Sequence, residues 1–366
     1  MDKLDFASRI KKVSASLQGS GIDLLLVTPG ADLRYLVGYD ALPLERLTCL
    51  AVSVSGQSWL IVPKLEMPAA IASGVAQIPV NLLSWEETQN PYELLATEVG
   101  AVNAAIANNL MSLEKAKHLG DALGVELELA EEMLSDLRLI KSFPEINALH
   151  EAGSAIDRVH SAMCNWLRPG RTEREVGRDI AEAIINEGHV KVDFVIVASG
   201  PNGASPHHEL SDRVIEIGDP IVVDIGGTMP SGYCSDSTRM YVCGQPAPDF
   251  IQKYEILKEA QRLAFEHSTI GVTCESIDTA ARNHLSANGL GEFFIHRIGH
   301  GIGMDTHEHP YIVQGNKDLV RDGYAFSIEP GFYIPGLYGA RIEDIVTCSN
   351  GSVTSANNTT HELVIL

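Results

Sequence analysis

Residues 220–242 read P-I-V-V-D-I-G-G-T-M-P-S-G-Y-C-S-D-S-T-R-M-Y-V, and this stretch decides how the second half of the chain folds. Asp224 interrupts a run, 221–225, that is otherwise continuous core. A carboxylate there carries a large desolvation cost unless it is paired or binds metal. Asp236 follows twelve residues later and leads into the apolar segment 240–242. The intervening residues are rich in Gly, Pro and Ser, so the spacing predicts a hairpin that brings both carboxylates to one place. The pattern recurs downstream, with Glu329 in F-S-I-E-P-G (326–331) and Glu343 in R-I-E-D-I (341–345). A single acid of this kind reads as a strand end or a solvent-facing group. Four in two matched hairpins suit a two-metal site, because four negative charges balance two divalent cations.

Outward from the hairpins, further patterning predicts strands at 192–199, 325–333 and 340–348, besides those at 220–226 and 233–242. A helix is expected from Glu145, with Ile146, Leu149, Ile156 and Val159 on one face. Another starts at Thr172, where Glu175 completes a capping box, and stops at Gly188. Two more are expected at 250–265 and 275–287. This half is therefore α+β, with helices packed on one side of a largely antiparallel sheet. The first third predicts an amphipathic helix at 5–17, a buried strand at 23–28, strands at 49–54 and 58–62, and helices at 65–75 and 91–100. That alternation suits an α/β domain with a mixed or parallel sheet. A charged amphipathic segment at 131–142, ending before Pro144, reads as a linking helix. The expected organisation is a 1–130 domain, a 131–142 link and a 143–366 domain.

Bulk composition agrees with two domains, since 366 residues exceed what one core usually serves. The hydrophobic fraction of 45% and charged fraction of 20% are those of an ordinary globular protein. A net charge of −21 argues against nucleic acid and anionic membranes as partners. Six scattered cysteines without a C-x-x-C pair read as reduced thiols. The N-terminus lacks an apolar h-region and no run approaches 18 apolar residues, so a cytoplasmic location is expected.

The histidines cluster too. I-H-R-I-G-H-G-I-G-M-D-T-H-E-H-P (295–310) holds His296, His300 and His307 among Gly299, Gly301 and Gly303, which let backbone pass close to a ligand or turn. It lacks the Lys-Ser/Thr of a P-loop and the order of a dinucleotide motif. In N-G-A-S-P-H-H-E (202–209), His207 is a candidate and His208 reads as a surface residue.

The ordered set Asp224, Asp236, His300, Glu329 and Glu343 resembles the pita-bread metallopeptidases: prolidase, aminopeptidase P and methionine aminopeptidase. The resemblance rests on D-I-G-G, S-D-S-T-R, H-R-I-G-H-G-I-G-x-x-x-H-E, I-E-P-G and R-I-E-D, and covers residues 145–366. The interval between the first two acids is slightly longer than in many members. L-R-Y-L-V-G (33–38) and L-I-V-P (60–63) resemble the N-terminal domain of prolidases and aminopeptidase P, which methionine aminopeptidases generally lack.

The resemblance implies a pita-bread catalytic domain preceded by a smaller α/β creatinase-like domain. It implies two divalent ions on the five residues, with Asp224 and Asp236 on one ion, Asp224 and Glu343 bridging, and His300 and Glu329 completing the second. Glu329 would also shuttle the proton of a metal-bridging hydroxide. His207 and His307 would steady the substrate carbonyl and the tetrahedral intermediate, and His296 would line the substrate pocket. Arg341 would bind a carboxylate or order the site. The oxygen-rich ligand set favours Mn²⁺, with Co²⁺, Fe²⁺ or Zn²⁺ as alternatives. The implied activity is hydrolysis of X-Pro bonds in small proline-containing peptides, by a prolidase acting on dipeptides or an aminopeptidase P acting on longer ones. A non-peptidase hydrolase or lyase, and a binding module, are alternatives on the same fold. A homodimer is implied as well, one subunit's N-terminal domain approaching the partner's active site.

Overall fold

The computed structural model describes residues 4–366, which fall into two compact units, one reaching to Arg138 and the other spanning Leu139–Leu366. The first unit holds strands β1 (Leu24–Val27), β2 (Cys49–Ser53), β3 (Ser58–Pro63), β4 (Asn81–Trp85), β5 (Ala105–Ala107) and β6 (Leu127–Leu129) in the order β4-β3-β2-β1-β5-β6. The sheet is mixed: β1–β2 and β2–β3 are antiparallel, while β3–β4, β1–β5 and β5–β6 are parallel. Its central strand is the all-apolar L-L-L-V run, buried throughout as a strand covered on both faces must be. Helices α1 (Phe6–Leu17), α2 (Ala31–Val37), α3 (Met67–Ala72), α4 (Pro91–Val99) and α5 (Leu113–Leu123) connect the strands, followed by α6 (Glu131–Leu139).

Residues 131–142 do not form a single helix. α6 stops at Leu139, and α7 (Phe143–Ser161) starts so early that Pro144 lies inside its first turn. A proline is tolerated there because its missing N–H would have had no partner in the helix. The Glu145 carboxylate accepts from both the backbone N–H and the Oγ–H of Ser142, at 2.6 Å each, and closes the cap. α8 (Glu173–Asn186) carries the expected Thr172/Glu175 capping box.

In the second unit, β7 (Lys191–Ser199), β8 (Pro220–Thr228), β9 (Cys234–Val242) and β17 (Val364–Ile365) form a sheet ordered β17-β9-β8-β7. The β8–β9 hairpin runs in unbroken register from Pro220↔Val242 to Thr228↔Cys234. Ile221, Val223 and Ile225 pack with α7 and α8. Val222 and Met240 join the opposite cluster, with α9 (Pro248–His267) and α10 (Cys274–Ala287). Strand parity puts Asp224 on the face of Val222 and Asp236 on the face of Met240, both turned away from α7 and α8.

The second hairpin differs from its sequence reading. Segments 325–333 and 340–348 are not continuous strands, because each breaks in the middle. β12 (Ala325–Ile328) pairs with β15 (Asp344–Ser349), whereas β13 (Gly331–Ile334) pairs with β14 (Tyr338–Arg341) as a separate ribbon. β10 (Gly299–Gly301), β11 (Glu308–Ile312) and β16 (Ser352–Ser355) extend the first pair into a sheet ordered β11-β10-β12-β15-β16. The breaks fall at Glu329-Pro330, where the proline cannot donate to a ladder, and at Ile342-Glu343 on the facing segment, where the Ile342 N–H donates to Pro330 O at 3.3 Å. Freed from it, the Glu329 N–H donates to Ile298 O at 2.8 Å and the Glu343 N–H to Thr238 O at 3.2 Å. The second bond ties the break to the first hairpin. One antiparallel sheet with helices on one side is thus corrected to two sheets and a ribbon, with helices in both core clusters.

Candidate metal centre

All nine residues singled out above line one cavity of about 570 Å³: His207, Asp224, Asp236, His296, His300, His307, Glu329, Arg341 and Glu343. Asp224 stands opposite Thr238 in the hairpin and Asp236 opposite Gly226, so the two carboxylates are diagonal neighbours on one face. Gly301 lets β10 carry His300 in against β11, since a Cβ at Gly301 would lie 2.1 Å from His309 O. Glu329 and Glu343 enter from the two strand breaks.

Asp224, Asp236, His300 and Glu343 are each more than nine-tenths buried. Ligand atoms of Asp224, Asp236 and Glu343 lie within 4.8 Å of one another, as do those of His300, Glu329 and Glu343. Glu343 belongs to both triads. Asp236 also reaches the second side, its Oδ2 lying 3.8 Å from His300 Nε2. Asp224 belongs only to the first triad, and Arg341 Nη2 donates to its Oδ2. The pair shared between the two sides is therefore Asp236 and Glu343, rather than Asp224 and Glu343. Asp224 Oδ1 is buried with no hydrogen-bond partner.

The electrostatics show a deficit of positive charge. Burial, then the charge of Asp224, pushes Asp236 well above the usual carboxylate range. Burial, then Asp236 and Glu329, does the same to Glu343. Burial also works against ionisation of Glu329, but the hydrogen bond and charge of His300 outweigh it and hold this acid at about 2. His300 responds in kind: burial would lower its imidazole, yet Glu329 and Asp236 raise it. Four crowded carboxylates, one with an orphaned oxygen, plus one imidazole, form a donor set suited to hard divalent cations.

Behind this set lies a supporting layer that the sequence reading missed. Thr238 Oγ1 donates to Glu343 Oε2 at 2.9 Å and accepts from Arg341 Nε at 3.0 Å. Ser327 Oγ donates to Glu329 Oε1 at 3.0 Å and accepts the His300 N–H, also at 3.0 Å. Tyr333 OH accepts from Arg341 Nη1 at 2.7 Å and lies 3.0 Å from His296 Nε2. The signal for Thr238 and Ser327 was strand parity, since each lies two residues from a ligand on the same face. Arg341 also donates to Pro206 O at 3.3 Å, so its guanidinium orders the site.

His207 and His307 stand exposed at the cavity, the His307 ring 3.8 Å from that of His300. Burial against its neighbours and the adjacent His300 lower His307 to about 4. His208 is not a free surface residue. Its Nε2 lies 2.8 Å from Oε2 of Glu173, whose side chain is wholly enclosed. Glu173 also accepts from Ser199, Asn202 and Ser211, pinning both ends of the loop that carries His207. The first residue of α8 thereby sets the position of a cavity histidine.

Residues 147–350 match metallopeptidase family M24, and residues 9–140 match the creatinase/prolidase N-terminal domain. The chain belongs to metallopeptidase family M24 and is a metallopeptidase, with a pita-bread catalytic unit behind a creatinase-type N-terminal domain. It is 47% identical over 363 residues to a probable dipeptidase PepE of Mycobacterium tuberculosis, covering 99% of this chain and 96% of that one. The crystal structure of dipeptidase PepE from Mycobacterium ulcerans matches at a TM-score of 0.92 and 47% identity, covering 100% of this chain and 99% of the other. A recombinant prolidase from Thermococcus sibiricus matches at a TM-score of 0.92 and 37% identity over all of both chains. Among the described residues no helix is long and apolar enough to cross a membrane.

Proposed function

We propose that this chain is an Xaa-Pro dipeptidase that uses two divalent ions to hydrolyse the bond before proline in dipeptides. The observation that carries the reading is the pair of interlocking triads sharing Glu343 in one buried cavity. Dipeptidase rather than aminopeptidase P is supported by end-to-end similarity, at 47% identity, to proteins named as dipeptidases. Asp224 and Asp236 would hold one ion and His300 and Glu329 the other, with Asp236 and Glu343 reaching both. When bound, such ions polarise the scissile carbonyl and bring the pKa of a water down to about 7. The oxygen-rich set favours Mn²⁺, and Co²⁺, Fe²⁺ and Zn²⁺ are compatible.

The residues around the ions have separate tasks. Glu329 Oε1 is engaged by Ser327 at 3.0 Å, which leaves Oε2 to take a proton from water and deliver it to the proline nitrogen. His307, neutral above about pH 4, donates from its ring to the carbonyl oxygen as negative charge grows there, and His207 assists from the other loop. His296, steadied by Tyr333, borders the substrate together with the apolar wall of Phe194 and Ile196, against which a pyrrolidine ring packs. The protein acts as a homodimer in a reducing compartment. Six scattered cysteines without a C-x-x-C pair support the compartment, and sedimentation at twice the 39.6 kDa chain mass tests the dimer.

The test of the reading is kcat/KM for Ala-Pro against Ala-Pro-Ala with Mn²⁺ present. Preference for the dipeptide is expected. Preference for the tripeptide would make the chain an aminopeptidase P. No turnover of either, with two ions bound, would assign the site to another small-molecule reaction.

A further inference from the structure

Just outside the cavity, Lys141, two residues before α7, pairs with Glu308, the first residue of β11. Lys141 Nζ lies 2.7 Å from Glu308 Oε1, and the two side chains are only 1% and 9% exposed. The Lys141 backbone is fixed as well, its N–H donating to Gly323 O at 2.8 Å. Glu308 directly follows His307. The His307 ring lines the cavity, whereas the next side chain turns away into the pair with Lys141.

The loop that carries His307 leaves β10 after Gly301 and returns at Glu308, which stands opposite Gly301 in the β10–β11 ladder. Its start is fastened to the framework. The Ile302 N–H donates to Ala325 O at 3.2 Å, and Gly303 O accepts from the Cys234 N–H at 2.9 Å. Its far end has less to hold it. The His307 ring stacks on His300 at 3.8 Å, and among the described residues no hydrogen bond holds it, so its place is inherited from the backbone. Glu308 supplies the missing fastening. A Cβ at Gly303 would lie 2.5 Å from Glu308 Oε1 and 3.1 Å from Oε2, so the absence of a side chain there lets the carboxylate close against the start of the loop. Lys141 keeps it there. Without the ammonium, a carboxylate in this enclosure is an uncompensated buried charge. It relaxes toward water and takes the adjoining His307 with it. An oxyanion donor works only within about 2.7–3.1 Å of the oxygen it serves, and a misplacement of about 1 Å costs about 100-fold in rate. We infer that Lys141 is a positioning residue for His307, acting through the Glu308 carboxylate to hold the loop in its productive place. The inference rests on the reading of His307 as donor to the developing oxyanion.

The test is a double-mutant cycle on Mn²⁺-loaded protein, with kcat, KM and metal content measured for wild type, Lys141→Met, His307→Ala and the double variant. The substrate is whichever of Ala-Pro and Ala-Pro-Ala the wild type cleaves faster. Lys141→Met should lower kcat about 100-fold, with KM and metal content unchanged. In the His307→Ala background the same substitution should lower kcat little further, because the residue through which it acts is gone. Lys141→Arg should recover part of the rate. Glu308→Gln, carried through the same cycle, replaces Lys141→Met if that variant does not fold. Equal fold losses in both backgrounds would mean a general loosening of the structure and would overturn the assignment. So would a wild-type kcat in Lys141→Met, or a loss confined to KM or metal content. An undiminished kcat in His307→Ala, or no turnover of either peptide by the wild type, would overturn the reading of His307 and this inference with it. Preference for Ala-Pro-Ala would overturn the dipeptidase reading alone, and the cycle on that peptide would still decide the role of Lys141.

Discussion

Replacing Thr238 by valine nearly preserves the shape of the side chain but removes a hydroxyl from the middle of the metal centre. That hydroxyl donates to Glu343 Oε2 at 2.9 Å and accepts from Arg341 Nε at 3.0 Å, in a residue with no exposed surface. Each bond joins a neutral group to a charged one, and such bonds contribute about 1.5–3 kcal/mol. Loss of the bond to Glu343 unfastens a carboxylate proposed to reach both ions. Removing an outer partner of this kind lowers metal affinity by about 10- to 100-fold. On the free-energy scale that is about 1.4–2.7 kcal/mol, which matches one lost bond. The bond to Arg341 is lost whether or not metal is present, so it should lower thermal stability by a comparable amount. Calorimetric titration of Mn²⁺ into metal-stripped wild type and Thr238→Val reads the first effect, and thermal unfolding of the metal-stripped proteins reads the second. An Mn²⁺ affinity unchanged in Thr238→Val, with the fold intact, would refute the supporting role assigned to this hydroxyl.

Other substitutions separate the remaining parts. His307→Ala should lower kcat by about 100- to 1000-fold, the effect of losing an oxyanion donor, while metal content stays at the wild-type value. Loss of an ion together with activity would instead make His307 a ligand, since its ring sits in a triad with Asp236 and His300. Lys141→Ala breaks an ion pair with Glu308 at 2.7 Å, with side chains only 1% and 9% exposed. Denaturant unfolding should register a loss of about 3–5 kcal/mol, as for other buried pairs deprived of one partner; a loss below about 1 kcal/mol, the range of exposed pairs, would contradict the burial argument. Glu173 gives a pH signature. Burial would raise it, but hydrogen bonds from Ser211, Ser199 and His208 hold it below its ordinary value. The unfolded chain therefore binds this proton more readily than the folded one. The stabilisation is present above the ordinary carboxylate pKa of about 4.3 and disappears as pH falls through the lower folded value. Glu173→Gln should flatten that part of the acid limb of a stability–pH curve, and an unchanged slope would show that Glu173 is not its source.

The site was more legible than the framework around it, for physical reasons. An aspartate inside I-V-V-D-I or a glutamate inside F-S-I-E-P is conspicuous because isolated charge in a core is intolerable, so the acids could be found without a structure. The path of the chain through them could not. Segments 325–333 and 340–348 have unbroken strand composition, and only Pro330 hinted that the ladder ends at Glu329. The exchange of partners at the break, which sends Glu343 to Thr238, is a tertiary event with no local pattern. Tyr333 was hidden for a similar reason: an aromatic residue in a strand looks like core, and its hydroxyl contact with Arg341 depends on a distant strand. His208 was misread because its partner, Glu173, lies 35 residues away. In the first unit, the strands Asn81–Trp85, Ala105–Ala107 and Leu127–Leu129 escaped notice because they are short, and two of them expose polar or half-buried side chains. Their parallel pairing is set by the helices between them.

The claim on which everything else depends is that Asp224, Asp236, His300, Glu329 and Glu343 together hold two divalent ions. Titration of Mn²⁺ into the metal-stripped wild-type chain measures this directly. Two ions bound per chain are predicted, and a stoichiometry of one or none would contradict the account.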